Sequence, residues 1–220
     1  MQIFVDMDSV LTNFNKAIIP VLADPSVAIA EQRLARATRS LHLMPIPITT
    51  VVHDYQIVYG RMGKFFQQYM PVVDEFRESY DHWKDAIGKA MPDGFFQNLE
   101  PMSDATELMI GIREFDRVPT ILTKPVNKTG DDHEMQCRVE KLHWIVDHFG
   151  ARPLNFLCVY DKSEYSGPGR VLIDDQLKNI REWVSRGGIG ICHETANLTL
   201  GRLKTISLEE SSKPTGPGLR

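Results

Sequence analysis

The sequence predicts an α/β protein: a parallel sheet flanked by helices, with a helical segment inserted after the first strand. Three observations predict it. The short apolar run Ile3-Phe4-Val5 ends in Asp6-Met7-Asp8, the pattern of a buried strand that delivers carboxylates to the carboxyl edge of a sheet, where open α/β folds place their chemistry. From Phe14 to about Ala90 the pattern is helical, with almost nothing strand-like. After Pro92-Asp93-Gly94 the chain alternates helix and strand, in units of a length that implies a mainly parallel sheet.

The first strand is expected over Gln2 to Val5. Residues i and i+2 share a face only while a strand persists, so Asp6 and Asp8 converge only if the chain bends after Asp6, and Ser9 permits the bend. Two such carboxylates call for a cation or a shared proton; alternatively, Asp8 caps a helix beginning near Thr12. Helices are expected from Asn13 to Ala23, Val27 to Thr38, Val51 to Met70 and Val73 to Ala90, parted by breaks at Pro25, at Pro45 with Pro47, and at Pro71. A helix from Ser103 to Phe115 and a strand from Val118 to Leu122 follow. Next come a helix over Asp131 to Phe149 and a strand over Asn155 to Tyr160. A strand from Val171 to Ile173 ends at Asp174-Asp175, and a helix from Leu177 to Arg186 leads to a last strand, Ile189 to Cys192. The expected organisation is a discontinuous core of residues 1–14 and 95–208, a helical cap of 15–94, and a disordered tail of 209–220 with linker composition.

A net charge of -4 supplies no basic field for a long polyanion, so nothing points strongly to nucleic-acid binding. Cys137, Cys158 and Cys192 are odd in number and sit in apolar segments, as expected of reduced thiols in a cytoplasmic protein. No apolar run approaches a membrane span and no signal peptide is read, so no membrane partner is expected. Apolar positions in the cap helices suit a homodimer as well as the cap's own core.

Three expected strands end in chemically useful residues: Asp6 with Asp8, Thr123 with Lys124, and Asp174 with Asp175. In a parallel sheet these ends share one edge. Carboxylates suit Mg²⁺, and Thr123 with the lysines Lys124, Lys141 and Lys162 suits a phosphate.

In these motifs the chain resembles haloacid dehalogenase superfamily phosphatases, and within them the 5'(3')-deoxyribonucleotidases. Asp6-Met7-Asp8-Ser9-Val10 is similar to the superfamily's first motif, Ile121-Leu122-Thr123 to its second, and Leu172-Ile173-Asp174-Asp175 to its fourth; Lys162 and Lys141 both have counterparts for its lysine. Similarity extends to Gly94 through Pro101, Lys141 through Gly150, and Asp161-Lys162-Ser163. The resemblance implies a Rossmann-like core with an inserted cap. It implies Asp6 as nucleophile, forming an aspartyl-phosphate, and Asp8 as acid and then base. It further implies Mg²⁺ held by Asp6, the Asp8 carbonyl and Asp175, with Asp174 as support or a further ligand. Thr123, Lys162 and Lys141 would bind phosphate, and Phe14 would stack on a base.

The chain departs from the relatives at Ser9, where most have Gly, at Thr12-Asn13, where Ala-Asp is common, and at Lys124, where they have Ser. Lys124 either adds a phosphate contact or points outward. Other residues also carry two readings. Phe14, Tyr80, Trp83, Phe95 and Phe96 suit base contacts or core packing; Lys162 and Lys141 suit phosphate binding or solvated surface; Asp174-Asp175 suits a site or a helix cap. The histidines show no ligand spacing. The expected function is Mg²⁺-dependent hydrolysis of a small phosphomonoester, a deoxyribonucleoside monophosphate by preference. The alternatives are another small phosphate ester, a polynucleotide 3'-phosphatase, or a nucleotide-binding regulatory protein without turnover.

Overall fold

The computed structural model describes residues 1–40, 74–126, 131–150 and 154–212. The chain divides into two compact units, one of Met1–Asn13, Pro101–Pro125 and Val146–Arg220, the other of Phe14–Glu100 and Val126–Ile145.

The first unit is built on a five-stranded sheet. Its strands are β1 (Gln2–Val5), β2 (Thr120–Thr123), β3 (Asn155–Cys158), β4 (Arg170–Asp174) and β5 (Ile189–Cys192), in the order β3-β2-β1-β4-β5. Every pairing is parallel, as the alternation of the sequence predicts. Parallel sheets are covered on both faces, so their strands are nearly continuous apolar runs; Ile3, Phe4 and Val5 are all buried. Phe4, Leu122 and Leu172 pack with Ile180 and Trp183 of α6 (Leu177–Ser185). The Phe4 and Trp183 rings lie 5.1 Å apart. The alternate residues Ile3, Val5, Ile121 and Ile173 are buried too. Also in this unit are α4 (Ala105–Phe115) and α7 (Ala196–Ser212), which pack together. Their contact is tight at Gly111, where a Cβ would fall 2.5 Å from Leu200.

Helix α7 has no counterpart in the sequence reading, and it carries the chain through Ser212, so the first four residues read as tail are helical. Its buried positions are few, Ala196, Thr199 and Leu203, while Leu198 and Leu208 are exposed, which leaves no clear apolar stripe to read. Its start is held twice: the Thr195 hydroxyl accepts the Leu198 N–H at 3.4 Å, and Asp104 accepts the Ala196 N–H at 2.7 Å, although Asp104 immediately precedes α4 and makes no cap bond there. The strand expected from Val118 begins instead at Thr120 and includes Thr123, because Asp116 takes the Val118 N–H and Pro119 has none.

In the second unit, α1 (Phe14–Leu22), α2 (Pro25–Ser40) and α3 (Asp74–Ala90) are helical as expected. Pro25 starts α2 rather than merely separating helices. Asp24 accepts the Ser26 N–H at 2.8 Å, and proline suits the first helical turn. Val27, Ala30 and Leu34 of α2 and Trp83, Ala86 and Ile87 of α3 are buried at helical spacing, and the two helices pack together. Helix α5 (Asp131–Phe149) contributes residues to both units. The helix expected from Val51 to Met70 lies outside the described residues.

Between β1 and α1 the chain folds on itself. The Met7 carbonyl accepts from the Leu11 N–H at 2.9 Å, the Thr12 N–H at 3.0 Å and the Thr12 hydroxyl at 3.3 Å. Met7, Val10 and Leu11 are buried, so apolar anchors fix the loop that carries Asp8. The bend is at Ser9, whose φ of 61° lies in the left-handed region. A residue with a Cβ is strained there by about 1–2 kcal/mol, and a β-branched one more so. Stability should therefore run Ser9→Gly at or up to about 1 kcal/mol above wild type, and Ser9→Val about 1–2 kcal/mol below it, as read by urea unfolding.

Candidate active site

The first unit brings four of the expected site residues together at the carboxyl edge of its sheet. Val5 pairs with Ile173, and the Asp6 N–H donates to the Ile173 carbonyl at 2.9 Å, so Asp6 and Asp174 end adjacent parallel strands at the same level. Between their side chains sits Lys162. Its Nζ lies 2.7 Å from Asp6 Oδ1 and 2.7 Å from Asp174 Oδ2. Lys162 is 3 % exposed, which excludes the solvated-surface reading. It opens a 3₁₀ turn, Lys162–Tyr165, capped by Asp161, whose carboxylate accepts from the Ser163 N–H at 2.9 Å.

Asp6, Asp174 and Asp175 each offer a carboxylate oxygen, and the three oxygens lie within 4.8 Å of one another. Asp174 is already engaged. Its Oδ1 accepts the Gln176 N–H at 2.8 Å, and both its oxygens accept from the Asn179 amide, at 3.0 and 2.9 Å. The helix-cap reading does not describe Asp174: the residue at the start of α6 is Gln176, whose own N–H Asp174 accepts just ahead of the helix. Asp8 lies in the loop well before α1, and so does not cap it.

The charges do not balance. Burial pushes the Asp6 carboxyl up to about 7; Lys162 opposes this, and the neighbouring charges of Asp174 and Asp8 add to it. Burial, then Asp6 and Asp174, push Asp175 up to about 8. For Lys162 burial alone would disfavour the ammonium, but Asp174 and Asp6 outweigh it and hold the group above its usual range. Hard oxygen donors around a deficit of positive charge fit a divalent cation such as Mg²⁺. Asp6 and Asp175, with Asp174 beside them, are the residues that would hold it.

Thr123, fully buried, ends β2. Lys124 does not simply point outward: its Nζ donates to Asn179 Oδ1 at 2.8 Å, and burial, with Lys162 and Lys178, pushes its ammonium down. Asn179 is the residue the sequence reading missed. A lone asparagine in the first turn of a helix carries no motif, and only its place after Asp174-Asp175 hints at a role.

Phe14 and Lys141 fall in the second unit. Phe14 stacks on Phe96 with centroids 6.2 Å apart and planes at 14°, and meets Phe95 edge-on at 5.9 Å. Phe95, Phe96 and Trp83 are buried, as core packing requires, while Phe14 is only partly so. Lys141 is fully buried, against the solvated reading, with its Nζ 4.7 Å from the Phe96 ring centre. Beside it, Glu140 accepts the Gly94 and Phe96 N–H groups at 2.9 and 3.1 Å and fixes that loop. The side chain of Tyr80 lies outside the described residues. His143 and His148 are exposed; His193 is buried, with Nδ1 2.9 Å from the Thr199 hydroxyl. Among the described residues the cysteines are free, and no helix is long and apolar enough to cross a membrane.

No protein-family model and no curated protein matches the chain. Among solved structures it is similar to a hydrolase from Streptococcus pneumoniae TIGR4, with a TM-score of 0.40 and 8 % identity over 94 % of this chain and 97 % of that one. It is also similar to L-2-haloacid dehalogenase from Xanthobacter autotrophicus, with a TM-score of 0.41 and 10 % identity over 98 % and 84 %. Neither likeness bears on what the site does.

The raised carboxyls set a pH dependence. Without metal, the folded protein keeps protons on Asp6 and Asp175 that the unfolded chain releases near 3.8, so their contribution to stability is present below that pH and is lost as pH rises through about 7 and 8. Metal binding requires the ionised forms. The rise in Tm between EDTA and Mg²⁺ should therefore be larger at pH 8 than at pH 5; equal rises in thermal melts would contradict the assignment.

Proposed function

We propose that the chain is a haloacid-dehalogenase-type phosphomonoester hydrolase, and a 5'(3')-deoxyribonucleotidase in preference to a phosphatase for other small esters. The observation that carries the reading is Lys162 held between Asp6 and Asp174 with Asp175 beside them. It is supported by the order of the Asp6-Met7-Asp8, Thr123, Lys162 and Asp174-Asp175 motifs.

In this reading an Asp6 carboxylate oxygen attacks phosphorus while the ester P–O bond breaks, and Asp8 gives its proton to the departing alkoxide. Asp8 then takes a proton from water, which attacks the aspartyl-phosphate; the bond to Asp6 breaks, and inorganic phosphate leaves. Lys162 remains an ammonium throughout, since its raised pKa makes it a poor acid, and it acts as fixed positive charge near the reacting oxygens. Thr123 donates to a phosphate oxygen. Asp6 and Asp175 would hold Mg²⁺, which would supply the charge that lets an anionic nucleophile meet an anionic phosphate. Phe14, partly buried on Phe96, is the residue this reading assigns to base stacking.

The test is phosphate release from deoxyribonucleoside and ribonucleoside monophosphates, sugar phosphates and p-nitrophenyl phosphate, with Mg²⁺ and with EDTA. Release is expected with Mg²⁺ and not with EDTA, fastest from a deoxyribonucleoside monophosphate. Binding of nucleotides with no release would instead identify a binding protein. Asp6→Asn should lower kcat by about 10³-fold or more. At pH 8 it should melt no lower than metal-free wild type, because it removes a buried carboxylate from a crowded site.

A further inference from the structure

Lys124, where the similar phosphatases have serine, and Asn179, which belongs to no motif, form one chain of contacts ending at the nucleophile. Lys124 Nζ donates to Asn179 Oδ1 at 2.8 Å. The Asn179 amide nitrogen donates to both Asp174 oxygens, at 3.0 and 2.9 Å. Asp174 in turn holds the Lys162 ammonium, which reaches Asp6.

The direction of this chain is fixed by chemistry. A lysine ammonium only donates and an ionised carboxylate only accepts, whereas an asparagine side chain does each at one end. Turned the other way, the amide would set its oxygen against Asp174 and its nitrogen against Lys124, losing every bond and adding two repulsions. Lys124 thus locks Asn179, and Asn179 locks Asp174. With both oxygens held, Asp174 cannot swing toward a cation, and its Oδ2 stays where it meets Lys162. Asn179 is 3 % exposed, and its amide nitrogen makes no helix-cap bond that would explain its presence.

We propose that Asn179, oriented by Lys124, is a positioning residue of the reaction: it fixes Asp174 so that Lys162 stays aligned on Asp6. This rests on the phosphohydrolase reading above. Residues that orient a site's direct contacts are typically worth about 10–100-fold in activity.

The experiment measures kcat and KM on p-nitrophenyl phosphate and on the fastest nucleotide of the panel, Mg²⁺ affinity by calorimetry with Mg²⁺ alone, and urea unfolding. It does so for Asn179→Ala, the isosteric Asn179→Asp, Lys124→Met and the Lys124→Met/Asn179→Ala double variant. Both Asn179 variants should lose about 10–100-fold in kcat, while KM and, in Asn179→Ala, which adds no charge, Mg²⁺ affinity stay within about threefold and unfolding stays cooperative. Lys124→Met should lose less. The double variant should be no slower than Asn179→Ala alone, because Lys124 acts through Asn179. If Asn179→Ala does not fold, Asn179→Asp, which keeps the volume, carries the test with Lys124→Met. A kcat near wild type in an Asn179 variant, or losses that multiply in the double variant, would overturn the inference and leave the function standing. Wild-type protein inert on every ester would overturn both.

Discussion

Three carboxyl groups within 4.8 Å of one another, facing one ammonium at the inner edge of a sheet, are short of positive charge, and the rest of the site is arranged around that shortage. Repulsion among buried carboxylates is relieved by a proton, a fixed cation or a bound one. Here Lys162 is the fixed cation, and Asp6 and Asp175 are nonetheless raised, by burial first and by their acidic neighbours second. Asp174 meets the problem differently. With Lys162, Asn179 and the Gln176 N–H around it, it is satisfied by hydrogen bonds and is free to act as a brace.

The placement follows from the fold. Parallel pairing in register puts the ends of β1 and β4 side by side, so two aspartates far apart in sequence become neighbours without any special loop. Asp8 does need a loop, and the chain supplies one closed on the Met7 carbonyl, at the cost of a serine held left-handed.

Much of this was legible beforehand. Apolar runs ending in Asp, Thr or Asp-Asp gave the sheet and its chemical edge, because strand period and strand ends are local signals. What was not legible depends on distant partners. Helix α7 lacks a strong apolar stripe, and its first N–H is taken by Asp104, far away in sequence. Lys141 reads as a phosphate contact or a solvated residue beside Glu140, and nothing local says that it is buried against Phe96. Asn179 has meaning only once Lys124 and Asp174 are seen on either side of it. Polar side chains that act through one another leave no period in the sequence.

The strand that carries Asp6 lies in the middle of the sheet, and both its neighbours, β2 and β4, come much later in the chain. During synthesis β1 emerges before both partners, and its ladder to β2 can form before its ladder to β4. Contacts that span so much sequence form slowly. The acidic edge is therefore assembled late, and a nascent chain interrupted before β4 would carry the nucleophile and Lys162 but neither Asp174 nor Asp175, and so no place for a cation.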